Sequence, residues 1–179
     1  MKMQLAALVA LSLATSNVAA SPPAPVPTAA SLPVFEFMGQ RTDASPTMTV
    51  LQGNKCTTEG PRYTCTNVRS PTVAGRPMHY LQIAFFNDRL YAVSAAFGDL
   101  AYQPVAEAFT AKYGQPTKIE VRKWQSRAGA TFDNKVMIWN FAGGGVLELQ
   151  SMGSQVDEGR FDFLSATNAP PVEAPKVDF

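Results

Sequence analysis

The chain has 179 residues, with 15 Lys and Arg against 14 Asp and Glu, one histidine and two cysteines. A net charge of +1 with no basic block offers neither nucleic acid nor anionic lipid an electrostatic footprint. One imidazole and two thiols do not complete a tetrahedral zinc site without a carboxylate, and no metal or other cofactor is expected.

The N-terminus reads as an export signal. Lys2 supplies the positive charge, Leu5 through Leu13 form an apolar run broken only by Ser12, and the small residues Val18, Ala19 and Ala20 follow. That order predicts a secretory signal peptide over residues 1–20, cut after Ala20, and a mature chain in the periplasm or outside the cell. The run is shorter than the roughly 20 residues a membrane span needs, and no Cys stands at the cut to carry a lipid. Residues 21–33, SPPAPVPTAASLP, are Pro- and Ala-rich and uncharged, a composition that predicts an extended linker. Residues 166–179 share that character and are expected to be a disordered tail. Between them, 34–165 is the length of one ordinary domain.

Within the domain, Phe35–Met38 is a strand candidate, and Thr47–Leu51, in the ambiguous stretch 41–53, fits either a strand or a short helical turn. Cys56 and Cys65 are spaced too widely for a C-x-x-C redox pair. In an oxidising compartment they predict a structural disulfide across a turn at Glu59, Gly60 and Pro61, with Arg62–Arg69 as the following strand. Met78–Phe86 and Leu90–Phe97 are rich in strand formers and flank Asn87, Asp88 and Arg89, a hairpin whose Asn-Asp pair tolerates positive φ. In that hairpin Leu81, Ile83 and Phe85 are expected to share a face with Leu90 and Ala92. Tyr80, Ala84 and Phe86 would share the other with Tyr91 and Val93. Both faces are apolar enough to predict a central pair covered, at least in part, on both sides.

A helix is predicted over 101–113. Tyr102, Val105, Ala106, Phe109 and Tyr113 make one apolar stripe, Pro104 suits the first turn, and Gly114 and Pro116 end it. Ile119–Trp124 then alternates Ile119, Val121 and Lys123 against Glu120, Arg122 and Trp124. Val136–Phe141 and Val146–Gln150 are predicted antiparallel partners around Gly143-Gly144-Gly145, and Gly159–Ser165 is a last strand with Phe161 and Phe163 on one face. The sum is an α+β domain: a mainly antiparallel sheet of about five to seven strands, one helix packed on it and room for a second short one.

No residue pattern points to catalysis. His79 lies at a strand start with no G-x-S-x-G elbow to complete a triad. The triple glycine lacks the Lys-Ser/Thr and helix of a phosphate loop and suits a hairpin turn. Asp133 and Asp157–Glu158 are expected at solvated turns. Trp139, sharing a face with Met137 and Phe141, is read as core. Trp124, beside Arg122 on a polar strand face, is the candidate binding residue, core and exposed contact being equally open.

Phe85-Phe86-Asn87-Asp88-Arg89-Leu90, Ala111-Lys112-Tyr113-Gly114-Gln115-Pro116 and Val136–Trp139 running into a glycine turn occur in a familiar order. The chain resembles small exported bacterial α/β proteins and, through them, β-lactamase-inhibitor-protein-like and SmpA/OmlA-like domains, across about Phe35–Ser165. It differs from the lipoprotein members in lacking an acylated Cys, and the resemblance carries over no catalytic residue. The expected function is a non-enzymatic, envelope-associated module that binds a protein partner. The alternative is a hydrolase of envelope material with carboxylates assembled from distant turns.

Overall fold

The computed structural model describes residues 32–47, 51, 54–66, 71–126 and 128–171. The expected signal peptide, nearly all of the linker, most of the Thr47–Leu51 stretch and the last tail residues lie outside the described residues.

The architecture is α+β and mainly antiparallel. A short ribbon pairs β1 (Glu36–Phe37) with β2 (Gln40–Arg41). The main sheet contains β3 (Lys55–Glu59), β4 (Arg62–Thr66), β5 (Thr72–Val73), β6 (Arg76–Phe86), β7 (Arg89–Gly98), β8 (Lys118–Gln125), β9 (Thr131–Phe141), β10 (Gly145–Gln150) and β11 (Glu158–Ser165). Its path runs β3-β4-β6-β7-β11-β10-β9-β8, with β5 paired to the start of β6. The five to seven strands expected become eleven in two sheets among the described residues. The excess comes from two-residue strands and from β3, whose polar sequence Lys-Cys-Thr-Thr-Glu carries no apolar alternation.

Two meanders build this sheet, β3 to β7 and β8 to β11. They meet where β11 pairs antiparallel with β7, so the last strand in sequence is central in space. A 3-10 turn (Asp99–Ala101) and α1 (Tyr102–Tyr113) link the meanders. Val105, Ala106 and Phe109 are buried, and Gly114 takes φ 85° as its N–H donates to Thr110, so the predicted stripe and stop are both realised. Phe109 packs edge-on against Phe161 and Trp139, which places α1 over β9 and β11. The N-terminal segment covers the rest of that face: Phe35 stacks on Phe163 and Phe37 lies on Phe161.

The central hairpin departs from its expected register. Asn87 (φ 48°) and Asp88 (φ 55°) form a two-residue turn, and Arg89 already belongs to β7. Beyond the turn Phe85 pairs with Leu90 but Ala84 pairs with Ala92, which leaves Tyr91 as an extra residue in a β-bulge. A one-residue insertion flips every later side chain, so Val93 and Ala95 join Leu81 and Ile83 in the core while Ala92 lies with Ala84. His79 is the extra residue of a second bulge, between the Met78–Phe97 and Tyr80–Ala96 pairs.

The hairpin is central, and among the described residues a covering layer lies on one of its faces. Among the described residues every covering element, α1 and the β1–β2 segment, lies on the face that carries Leu81, Val93, Phe161 and Trp139. The face expected to hold Tyr80, Ala84, Phe86, Tyr91 and Val93 loses Val93 to the core and instead lines up the small Ala84, Ala92 and Ala96. Past Ser165, where the domain was expected to end, the Asn168 amide still donates to the carbonyls of Thr42 and Leu90 at 2.8 and 3.0 Å.

Candidate functional site

Strand register aligns the open face into rows. One row reads Thr64, Ala84, Ala92, Leu164, Val146 and Asn140 from β4 to β9. The next reads Thr66, Gln82, Ser94, Asp162, Glu148, Ile138 and Lys118. A third reads Tyr80, Ala96, Arg160, Gln150, Val136 and Glu120. The first row is an aliphatic strip in which Leu164 is 54% exposed between small neighbours. The second and third carry charge. Tyr80, 42% exposed, stands at the β6 end.

The charges neutralise one another in place. Asp162 and Glu148 are direct cross-strand partners, an arrangement that repels unless each finds a cation. Arg160 grips Asp162 through Nε and Nη2 at 2.6 and 2.8 Å, and Ser94 Oγ donates to the same carboxylate. Arg122 reaches Glu148 with Nη1 and Nη2 at 2.7 and 2.9 Å and Glu120 with Nε at 2.5 Å; Lys118 adds an ion pair to Glu120. These forks raise Arg122 and Arg160 above the ordinary guanidinium value, through Glu148 and Asp162 respectively, and hydrogen bonds from Lys118 and Arg122 hold Glu120 below the ordinary carboxylate value. Exposed pairs of this kind contribute little to stability. Their consequence is geometric: long side chains are held flat on a rigid sheet.

Trp124 stands at one border of this face. Half-buried, it packs on Phe132 and donates Nε1 to the Gly153 carbonyl at 3.0 Å. The two readings open in the sequence resolve into a structural contact with an exposed flank. Trp124 grips the 151–157 loop and walls an open depression of about 770 Å³ that Gln155, Val156 and Asp157 also line. Asn134, buried at the base of the loop, accepts from Met152 N and Ser151 Oγ and donates to Gln150 and the Met152 carbonyl, so the loop is tied from both sides.

The other candidates are scattered. His79 is exposed on its bulge, and its side chain makes no hydrogen bond among the described residues. Asp133, expected at a turn, lies within β9 and pairs with Lys123. Asp157 is in the loop, and Glu158, which opens β11, accepts from Ser154 at 2.7 Å. Gly143 and Gly144 take positive φ in the β9–β10 connection, as a turn requires. Trp139 is core and donates to the Gly114 carbonyl at 2.9 Å. Cys56 and Cys65 form a disulfide between directly opposite residues of β3 and β4. Among the described residues no group of three or more His, Cys, Asp and Glu could hold a metal ion, and no helix is long and apolar enough to cross a membrane.

Sequence reading missed Leu164, Val146, Arg122, Glu148, Arg160 and Asp162 as one surface. The alternation of Arg160, Asp162 and Leu164 against Phe161 and Phe163 was visible in β11; the register that sets it beside Glu148 and Val146 was not. Compared with models of protein families, with curated proteins and with solved structures, the chain matches none.

Proposed function

We propose that the chain is exported and acts as a non-enzymatic, envelope-associated protein-binding module whose contact surface is the open sheet face. The observation that carries this reading is the aligned face itself: an aliphatic strip at Leu164 and Val146 beside a preformed lattice of arginine–carboxylate pairs. An apolar centre with oriented polar neighbours is the composition of a protein interface, and residues on strands lose little freedom when they bind. The disulfide suits an oxidising compartment, and the N-terminal charge, apolar run and small residues support export. The resemblance to inhibitor-like exported domains points the same way.

The hydrolase alternative calls for two carboxylates converging in a cleft. Glu148 and Asp162 do lie opposite each other, but on an open surface, and both are occupied by arginine and by Gln150 or Ser94 donors. A photo-crosslinking residue placed at Leu164 should trap a partner in the native envelope, whereas one at Glu107, on the outer side of α1, should not. His79→Ala should leave that crosslink unchanged. Equal trapping from both positions, or loss of function from His79→Ala with the fold intact, would overturn the reading.

A further inference from the structure

The sheet ends at β8, and among the described residues nothing pairs with its outer edge. An unpaired strand edge offers a row of backbone donors and acceptors to another chain. The opposite edge, β3, is five residues long, polar and tied to β4 by the disulfide. β8 is eight residues long and carries two β-branched side chains that its own fold leaves uncovered. Ile119 is 56% and Val121 63% exposed, although their partners Met137 and Lys135 place them on the face that α1 covers. The helix lies over Trp139 and Phe161 and stops short of this edge.

The β8 sequence, Lys118-Ile119-Glu120-Val121-Arg122-Lys123-Trp124-Gln125, is complementary to itself when read antiparallel. A second copy related by a two-fold axis pairs each residue with one at a fixed sum of positions, and directly opposite residues share a face. With the axis on Val121, Val121 meets its own copy, Glu120 meets Arg122 and Ile119 meets the stem of Lys123. Lys118 then lies over Trp124. Moving the axis to Glu120 sets Glu120 against itself and Lys118 against Arg122. Moving it to Arg122 sets Arg122 against itself. Like charges directly opposite destabilise a strand pair, so charge disfavours both shifts, and an axis on Ile119 pairs only Lys118–Glu120 of the strand, which leaves the Val121 register as the longest that is free of like-charge pairs.

We propose that the chain forms a homodimer by antiparallel pairing of β8 with β8 about Val121, which joins two sheets into one and covers Ile119 and Val121. The two open faces become continuous across the axis, because residues on one side of the sheet stay on that side. The dimer stands independently of the protein-binding reading: either can fail without the other. A single strand pair is small beside a standard interface, so the association is concentration-dependent.

The test is site-directed disulfide trapping on the exported full-length domain. Residues opposite each other in a strand pair have Cβ atoms about 4.5–5.5 Å apart, close to what a disulfide bridges after slight adjustment. Val121→Cys should therefore crosslink to its own copy under mild oxidation. Ile119→Cys lies opposite Lys123, about 13 Å along the strand from its own copy, and should not. Sedimentation should show wild-type self-association that rises with concentration and is lost in Val121→Lys, whose far-ultraviolet circular dichroism should be unchanged. Monomeric wild type at every concentration, or Ile119→Cys crosslinking as readily as Val121→Cys, would overturn the proposal.

Discussion

Two tyrosines on the stripe of α1 differ in what their hydroxyls meet. Tyr113 donates to the Glu36 carbonyl at 2.6 Å, while the Tyr102 hydroxyl is buried with no partner among the described residues. Burial pushes both phenols up, Tyr102 to about 12. A phenol raised in the folded state favours its neutral form there. The stability this contributes is complete below the unfolded value of about 10 and is lost as pH rises from there through 12. Tyr102→Phe should therefore be neutral or stabilising by up to about 1 kcal/mol at pH 7, since it removes an unpaired buried hydroxyl. It should also flatten the decline in stability between about pH 10 and 12. Tyr113→Phe should cost about 1 kcal/mol through its lost hydrogen bond. Urea unfolding at both pH values checks this; equal costs for the two variants would refute it. At the same scale, Gly159 is required by close approach: a Cβ there would run into the Phe97 ring that covers it.

At the scale of elements, α1 joins the two meanders and closes the core. Phe109 touches Phe161, Trp139 and Tyr113 with ring centroids 5.1 to 6.1 Å apart, while Glu107 is exposed and accepts a hydrogen bond from Gln103. Phe109→Ala should cost about 3–5 kcal/mol. Glu107→Ala should cost less than about 0.5 kcal/mol. Small, equal effects in chemical denaturation would make the helix peripheral. This element was legible in the sequence because a stripe at helical spacing, a first-turn proline and a terminal glycine all agree. The β9–β10 hairpin was legible for a similar reason, its alternation being interrupted by three glycines. The bulges at His79 and Tyr91 were not. Both residues suit a regular strand, and only the partner strand shows that one residue too many is present. The same limit hid the open face, whose Glu148–Asp162 and Val146–Leu164 pairs depend on which strands become neighbours.

At the scale of the whole molecule, the described chain has one weakly fastened margin. The β3–β4 hairpin lies at the sheet edge, and the exposed threonines and charges of β3 contribute little burial. Tyr63 and Cys65 of β4 pack toward Phe85 and Ile83, but β3 is held by its ladder and by the Cys56–Cys65 bond. A disulfide closing so short a loop stabilises by about 2–3 kcal/mol, chiefly by restricting the unfolded chain. If the chain is exported as its N-terminus suggests, the bond forms after passage into an oxidising compartment, and the mature protein begins at Ser21. Protein recovered from the exported fraction should then show Ser21 by N-terminal sequencing and gain the mass of two hydrogens on reduction. The Cys56→Ser, Cys65→Ser double variant should remain folded and lose about 2–3 kcal/mol in urea unfolding. Amide exchange should rise first in β3 while α1 and β11 stay protected, because β3 carries no large buried side chain whereas Phe109 and Phe161 pack in the core. Freely alkylated thiols in exported protein would show that the bond does not form there, and uniform loss of protection across the sheet would show that it does more than fasten this edge.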